Sequence, residues 1–357
     1  MKIYTALSMP SVKAVNAARK RYRAASFFAG GGGASFGYRM AGFDVVYANE
    51  FVKVAAETYR ANAPSTTYVD ETDIRKVSAA RVMQLGKFRV GELDLLDGSP
   101  PCSSFSSSTV HRKEKNYGRA AKHVGTGSVE QRIDDLFFEF TRILRALQPK
   151  TFVAENVPGL LTSINRGQFL QIMEALKRCG YEVAASVVDP SMLGVPQRRK
   201  RLLFIGVRRD LAKRGFKPVL PRTVTPSLTV EDVLPHVRRI RVSGGGAWSG
   251  SGNDLRMTRG RGYVRSNVPS PTITALDASA TEQALLSSGG WVELADGTRR
   301  KYTISELKRV FGYPADYRFT GTPSQQWERM GLSHVPLSTY YVGATLAEQV
   351  LDKIRKP

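Results

Sequence analysis

The 357-residue chain is poor in the residues that build disulfide and metal frameworks, with two cysteines (Cys102 and Cys179) and four histidines (His111, His123, His236 and His334). Two thiols make no disulfide scaffold, and the histidines lack ligand spacing, so no structural metal is expected. Long apolar runs are missing too. Nothing approaches the ~18 residues that span a bilayer, and the N-terminal stretch has no apolar signal core, so a cytoplasmic protein without a membrane partner is expected. Acidic residues are scarce: 31 Asp and Glu stand against 53 Lys and Arg, for a formal charge of +22. Such an excess points to a polyanionic partner. The bases cluster at Arg19 to Arg23, Arg198 to Arg201, Arg238 to Arg241, Arg256 to Arg265 and Arg299 to Lys301. They do not share one amphipathic helix, which argues against a membrane surface.

What is present is a chain long enough for a large domain with an insertion, and 42% hydrophobic residues support a sizeable core. Residues 1–23 read as a basic extension with a helix over Val12 to Arg21. From Ala24 strand and helix alternate. Strands are predicted into Phe27-Phe28, at Val45 to Tyr47, over Leu93 to Asp97 and over Thr151 to Ala154. Helices are predicted over Ala34 to Ala41, Val52 to Ala61 and Ile133 to Leu147. This rhythm implies a mainly parallel, Rossmann-like α/β sheet with helices on both faces. After a strand over Leu202 to Val207 the rhythm stops, and residues 226–316 read as a smaller, irregular domain. Helical patterns at Ser305 to Phe311 and Leu346 to Ile354 suggest a return to the first domain over 317–357. Cys179, after the helical stretch Phe169 to Arg178, reads as a packed thiol.

Four short motifs carry chemistry. Phe28-Ala29-Gly30-Gly31-Gly32-Gly33 joins a strand to a helix, so backbone amides at the helix start can approach a ligand closely. No Walker lysine follows, which argues against a nucleoside triphosphate loop. Glu50, after the second strand, is placed to accept from ribose hydroxyls. Gly98-Ser99-Pro100-Pro101-Cys102 halts a buried strand and leaves a thiol at its carboxyl end, where open α/β sheets place chemistry. Glu155 ends a further strand, and Gln197-Arg198-Arg199-Lys200-Arg201 opens another. The nearly 30 residues between Cys102 and Ile133 are too many for a passive connector and read as a lid or binding loop.

In order, FAGGGG, ANE, SPPCSSFS, ENV, QRRKR and RKYTISELKRVFGYP make the chain resemble the cytosine-C5 DNA methyltransferases over nearly its full length. The resemblance implies S-adenosylmethionine as methyl donor and double-stranded DNA as substrate. It implies a target-recognition domain over Pro226 to Asp316, and it allows a cognate restriction endonuclease as functional partner; a monomer is expected. The catalytic set it implies is Cys102, Glu155, Arg199 and Arg201. Cys102 would add to C6 of cytosine and make C5 nucleophilic. Glu155 would hold the N3 proton, Arg201 would contact O2, and Arg199 would support the carboxyl and its loop. The donor would be bound by Phe28, Ala29, Gly30, Gly32, Glu50, Asp73, Ile74, Pro101 and Leu136.

The target cytosine would be flipped out of the duplex, with the loop after Cys102 closing over it and Lys113, Lys115, Arg119 and Lys122 neutralising phosphates. One departure stands out. The family's last motif carries Gly-Asn, whereas the best matches here, Val342-Gly343-Ala344-Thr345 and Met330-Gly331-Leu332-Ser333, lack the asparagine. Two other readings compete: an RNA cytosine-C5 methyltransferase acting on tRNA, and a catalytically silent DNA-binding regulator of the same fold. The arginine-rich 226–316 segment favours DNA over tRNA. The intact Cys102, Glu155 and Arg201 set weighs against a silent protein.

Overall fold

The computed structural model describes residues 1–100, 135–221, 227–242, 247–249, 256–258, 262–278 and 290–355. Pro101, Cys102 and the loop that follows lie outside the described residues, as does Gly244-Gly245-Gly246. Among the described residues no helix is long and apolar enough to cross a membrane, and no group of three or more His, Cys, Asp or Glu is arranged to hold a metal ion.

Seven strands form the main sheet: β1 (Tyr22–Phe27), β2 (Phe43–Asn49), β3 (Tyr68–Asp70), β4 (Leu95–Gly98), β5 (Thr151–Asn156), β6 (Tyr181–Val188) and β7 (Arg201–Arg208). Their spatial order is β3-β2-β1-β4-β5-β7-β6. All neighbours are parallel except β7, which runs antiparallel to both β5 and β6. Parallel strands are covered on both faces, and β1, β4 and β5 are buried along almost their whole length, Ser26, Asp97 and Glu155 included. One face packs Phe27, Leu96, Phe152 and Phe204 under α5 (Asp135–Leu147) and α6 (Arg166–Arg178). The other packs Ala24, Leu95, Val153 and Leu203 with Val342 and Leu346 of a late helix. Strand order reverses between β1 and β4, so a crevice opens at the carboxyl ends of those two strands.

The first helices, α1 (Val12–Ala17), α2 (Gly33–Met40) and α3 (Lys53–Asn62), precede α4 (Ala79–Gly86). Residues 1–17 are packed into the molecule rather than extending from it. Tyr4 donates its amide to the Tyr341 hydroxyl at 3.0 Å and accepts from it at 2.6 Å, and Val12 and Val15 are buried. The helix expected over Val12 to Arg21 ends at Ala17, because Lys20 turns back to donate to the Val15 and Arg39 carbonyls. The strand then starts at Tyr22, two residues before the expected Ala24.

After α7 (Arg209–Lys213) and α8 (Val230–Val233), a four-stranded antiparallel sheet forms from β8 (Val237–Val242), β11 (Gly262–Arg265), β12 (Trp291–Leu294) and β13 (Arg299–Lys301). A two-stranded ribbon, β9 (Ala247–Ser249) with β10 (Arg256–Thr258), accompanies it. The apolar residues of this sheet, Ile240 and Val292 among them, join one cluster with Leu307, Met330 and Leu337 from α9 (Ile304–Val310), α10 (Pro323–Leu332) and α11 (Pro336–Leu346). Helix α11 begins ten residues before the expected Leu346. A π-helical turn, Ala347–Leu351, and α12 (Asp352–Arg355) continue it. It lies directly on α2, where a Cβ on Gly37 would stand 2.1 Å from the Pro336 carbonyl oxygen.

Candidate active site

The carboxyl ends of β1, β2, β4, β5 and the start of β7 converge at the crevice. β1 runs into the glycine turn, and there Phe28 takes a left-handed backbone (φ 52°), as do Gly30 (φ 55°) and Gly32 (φ 89°). A non-glycine residue in that region is strained, and such strain concentrates at functional sites. A Cβ built on Gly30 would meet no heavy atom within 4 Å, so this part of the turn faces open space. Gly32 caps α2 without a side-chain hydrogen bond, and the first amides of the helix stay available to a ligand.

Glu50 follows β2 and is buried. Its Oε2 accepts from the Gly30 amide at 2.6 Å and its Oε1 from the Val52 amide at 2.8 Å. Burial raises its pKa, opposed by those two amides and by Arg329. The carboxylate is thereby tied to the glycine turn with lone pairs left for hydroxyl donors. Open space at Gly30, a fixed acceptor at Glu50 and an uncapped helix start at Gly33 suit a nucleoside with an anionic tail.

Asp73 caps the short 3-10 turn Ile74–Lys76 and is engaged by the Arg75 guanidinium, which holds its pKa below the usual range. Ile74 is buried beneath it. Leu136, near the start of α5, is half-buried against the core on that face.

On β5 and β7 the expected pair is in contact. Glu155 Oε1 lies 2.8 Å from Arg201 Nε, with both side chains largely buried. Burial lowers the arginine pKa, opposed by Glu155. The antiparallel register sets Glu155 opposite Leu203, two residues along from Arg201 and on the same face. Arg199 is placed differently from the expectation. It is fully buried, and its hydrogen bonds go to the carbonyls of Gly331 (2.6 Å) and Ile273 (3.3 Å), not to Glu155. Its pKa falls well below the usual range through burial and the neighbouring Arg201, opposed by Glu155 and Tyr313. It ties β7 to the end of α10, which supports the site from behind.

Three residues that the motifs did not announce adjoin this group. Asp97, on β4, is buried and accepts from Ser26 Oγ at 2.9 Å and from the Tyr38 hydroxyl at 3.1 Å. Burial pushes its pKa up to about 7, and Glu155 adds to the rise while the two hydroxyls oppose it. The signal was an acid inside an apolar strand. His334 is buried, with Nε2 3.1 Å from Ser338 Oγ. Burial takes its pKa down to about 4, with Glu155 opposing and Arg201 and Arg199 assisting. Arg329, on α10, stands beside Gly31. Neither belongs to a motif of fixed spacing. Of the two stretches that matched the last motif, Met330 to Ser333 leads into His334, whose carbonyl abuts Gly33, whereas Gly343 packs on Tyr38 and Phe43 deeper along α2.

A family model for C-5 cytosine-specific DNA methylases matches residues 22–348. The type II methyltransferase M.NgoPII of Neisseria gonorrhoeae is 26% identical over 354 residues, covering 92% of this chain and 96% of the relative. M.HgiDI of Herpetosiphon aurantiacus, also a type II methyltransferase, is 30% identical over 336 residues, covering 92% and 94%. The crystal structure of the S. pombe Dnmt2 methyltransferase superposes with a TM-score of 0.60 at 14% identity, over 94% of this chain and all of that one, and so shares the fold.

Proposed function

The chain belongs to the family of C-5 cytosine-specific DNA methylases, and from that premise we propose that it methylates a cytosine flipped out of a short duplex DNA site, with S-adenosylmethionine as donor and Cys102 as nucleophile. The observation that carries the reading is the Glu155–Arg201 pair at 2.8 Å, at the end of β5 and the start of β7, on the sheet edge where β1 and β4 also end. A carboxyl and a guanidinium held side by side match the N3 and O2 edge of a cytosine.

S-adenosylmethionine supplies an electrophilic methyl group when bound. The chain's own residues do the rest. The Cys102 thiolate forms a bond to C6, and the ring electrons displaced from the C5–C6 double bond make C5 nucleophilic. Glu155 in its protonated form donates to N3 as charge builds there, and Arg201 steadies O2. Turnover ends when a base removes the C5 proton, the C5–C6 double bond re-forms and Sγ is expelled. Phe28, Ala29, Gly30, Gly32 and Glu50 hold the donor's nucleoside, with Asp73, Ile74, Pro101 and Leu136 as walls of its pocket. Arg199 acts through position, by fixing the start of β7.

Arginines of 226–316 would contact phosphates and guanine edges, since Arg238, Arg239 and Arg265 line one surface recess. The curated relatives are named as type II methyltransferases, and we assign this chain the same pairing with an endonuclease of matching site. The test is transfer of labelled methyl groups to duplex DNA and to tRNA, followed by methylation sequencing. Incorporation as 5-methylcytosine at one short duplex site is expected. Incorporation into tRNA alone, or at several unrelated DNA sequences, contradicts the reading.

A further inference from the structure

One face of the main sheet changes character as it nears the crevice. Side chains alternate between faces along a strand, and Ala24, Leu95, Val153 and Leu203 of β1, β4, β5 and β7 pack together in one apolar core. The next residue of each strand on that face, toward the crevice, is polar: Ser26, Asp97, Glu155 and Arg201. Ser26 lies opposite Asp97, Asp97 lies opposite Val153, and Glu155 lies opposite Leu203. Asp97 and Glu155 are therefore one pleat apart on neighbouring strands and share a face. Glu155 helps to raise the pKa of Asp97, after burial, and acts in the same sense on Tyr38, so the two acids and the phenol lie in one field.

The row poses a conflict at Glu155. Its ion pair with Arg201 at 2.8 Å favours a carboxylate, whereas donation to N3 of a cytosine needs the acid form. Asp97 can offset the arginine. Its carboxyl accepts from Ser26 Oγ at 2.9 Å and from the Tyr38 hydroxyl at 3.1 Å, so two donors support a negative charge there. No cation is among the groups that act on it. The other titratable groups facing the two acids are Tyr38 on α2, Tyr59 on α3, Arg199 and Arg201 at the start of β7, and His334 ahead of α11. Burial keeps both phenols protonated and takes His334 down to about 4, so it is neutral at working pH. Like charges held this close do not both form readily, and a charged Asp97 leaves the proton with its neighbour.

We propose that Asp97 is a positioning residue that acts through Glu155, keeping it in the acid form against the pull of Arg201 so that a proton is available to the target base at neutral and mildly alkaline pH. The inference rests on the acid role given to Glu155 above. With its pKa near 7, Asp97 is protonated in mild acid, where asparagine is its electrical equal, and charged in mild alkali, where it is not. The test is the single-turnover rate of methyl transfer to a duplex carrying the methylated site, at saturating S-adenosylmethionine, from pH 6 to pH 9.5. The native rate is expected to fall at the alkaline end as Glu155 ionises. In Asp97→Asn the fall should begin about one pH unit lower, with rates within about twofold of native at pH 6 and about tenfold below it in alkali. Glu155→Gln should be slow and should lose the fall, with or without Asp97→Asn. A fall that persists in Glu155→Gln overturns the acid role of Glu155 and the inference with it. If Glu155→Gln removes the fall but Asp97→Asn slows transfer equally at every pH, or does not move the fall downward, Glu155 keeps its role and the inference alone is overturned. Should Asp97→Asn not fold, Asp97→Ser removes the same charge for the same comparison.

Discussion

Asp97 makes the stability of this protein depend on pH in an unusual direction. Its carboxyl lies inside the sheet between the Ser26 and Tyr38 hydroxyls, with Glu155 on the next strand. Burial pushes its pKa up to about 7 from the ordinary 3.8 of an aspartate. The folded state therefore binds a proton that the unfolded chain has released, and folding is favoured while that proton stays on. The benefit is full below the unfolded pKa and is lost as pH rises from about 4 to about 7, levelling off beyond. At 1.36 kcal/mol per pKa unit the whole swing amounts to about 4 kcal/mol as an upper figure. Asp97→Asn keeps the shape and both hydroxyl partners but cannot ionise. Denaturant unfolding of the two proteins at pH 5, 6, 7 and 8 should give a falling curve for the native residue and a flatter one for the variant. The variant should gain by about 2–3 kcal/mol on going from pH 5 to pH 8 relative to native. Parallel curves would refute a buried, proton-retaining Asp97.

Three further outcomes follow from other contacts. Glu155→Gln keeps the side-chain size but removes the ionisable proton, so kcat on duplex DNA should fall about 10²–10⁴-fold; a steady-state rate within threefold of native would discard its proposed acid role. Gly37→Ala would set a Cβ 2.1 Å from the Pro336 carbonyl oxygen and 2.1 Å from Thr339 Oγ1. The α2–α11 contact would be forced apart at about 1–3 kcal/mol, read as a lower midpoint in thermal melting, and an unchanged midpoint would show that the contact yields. Burial raises the pKa of Glu306, but hydrogen bonds from Arg300, His236 and Thr303 outweigh it and bring the group down to about 2. Its contribution, up to about 3 kcal/mol, is present above pH 4.5 and is lost as pH falls toward 2. Glu306→Gln should therefore be less stable at pH 7 and converge with native in acid unfolding.

The parts of the fold legible in the sequence were those with strong local signals. The Leu93 to Asp97 and Thr151 to Ala154 runs that went into β4 and β5 are covered on both faces, and the glycines from Gly30 to Gly33, where β1 runs into α2, could serve little but a tight turn. Glu155 and Arg201 were found because each stands at a strand end in a recognisable word. Arg199 belonged to the same word, yet its partners are Gly331 and Ile273, more than 70 residues away, and no local spacing encodes such a choice. The helix α11 was seen only from Leu346 onward. Its first turns are buried on all sides, Ser338 and Thr339 included, because α2 and the N-terminal segment cover them, and a helix covered all round has no polar stripe to read. Residues 1–17 look like a basic tail by charge, but their anchors are main-chain bonds to Tyr341 and Asp316 that composition does not reveal.

Covalent trapping tests the central claim most directly. Duplex DNA bearing 5-fluorocytosine in the methylated site blocks the loss of the C5 substituent, so an adduct through Cys102 should accumulate. With S-adenosylmethionine present, the native protein is expected to give a denaturation-resistant protein–DNA complex, and Cys102→Ala none. Absence of the complex with the native protein on its own methylated sequence, or its persistence in Cys102→Ala, would contradict the account.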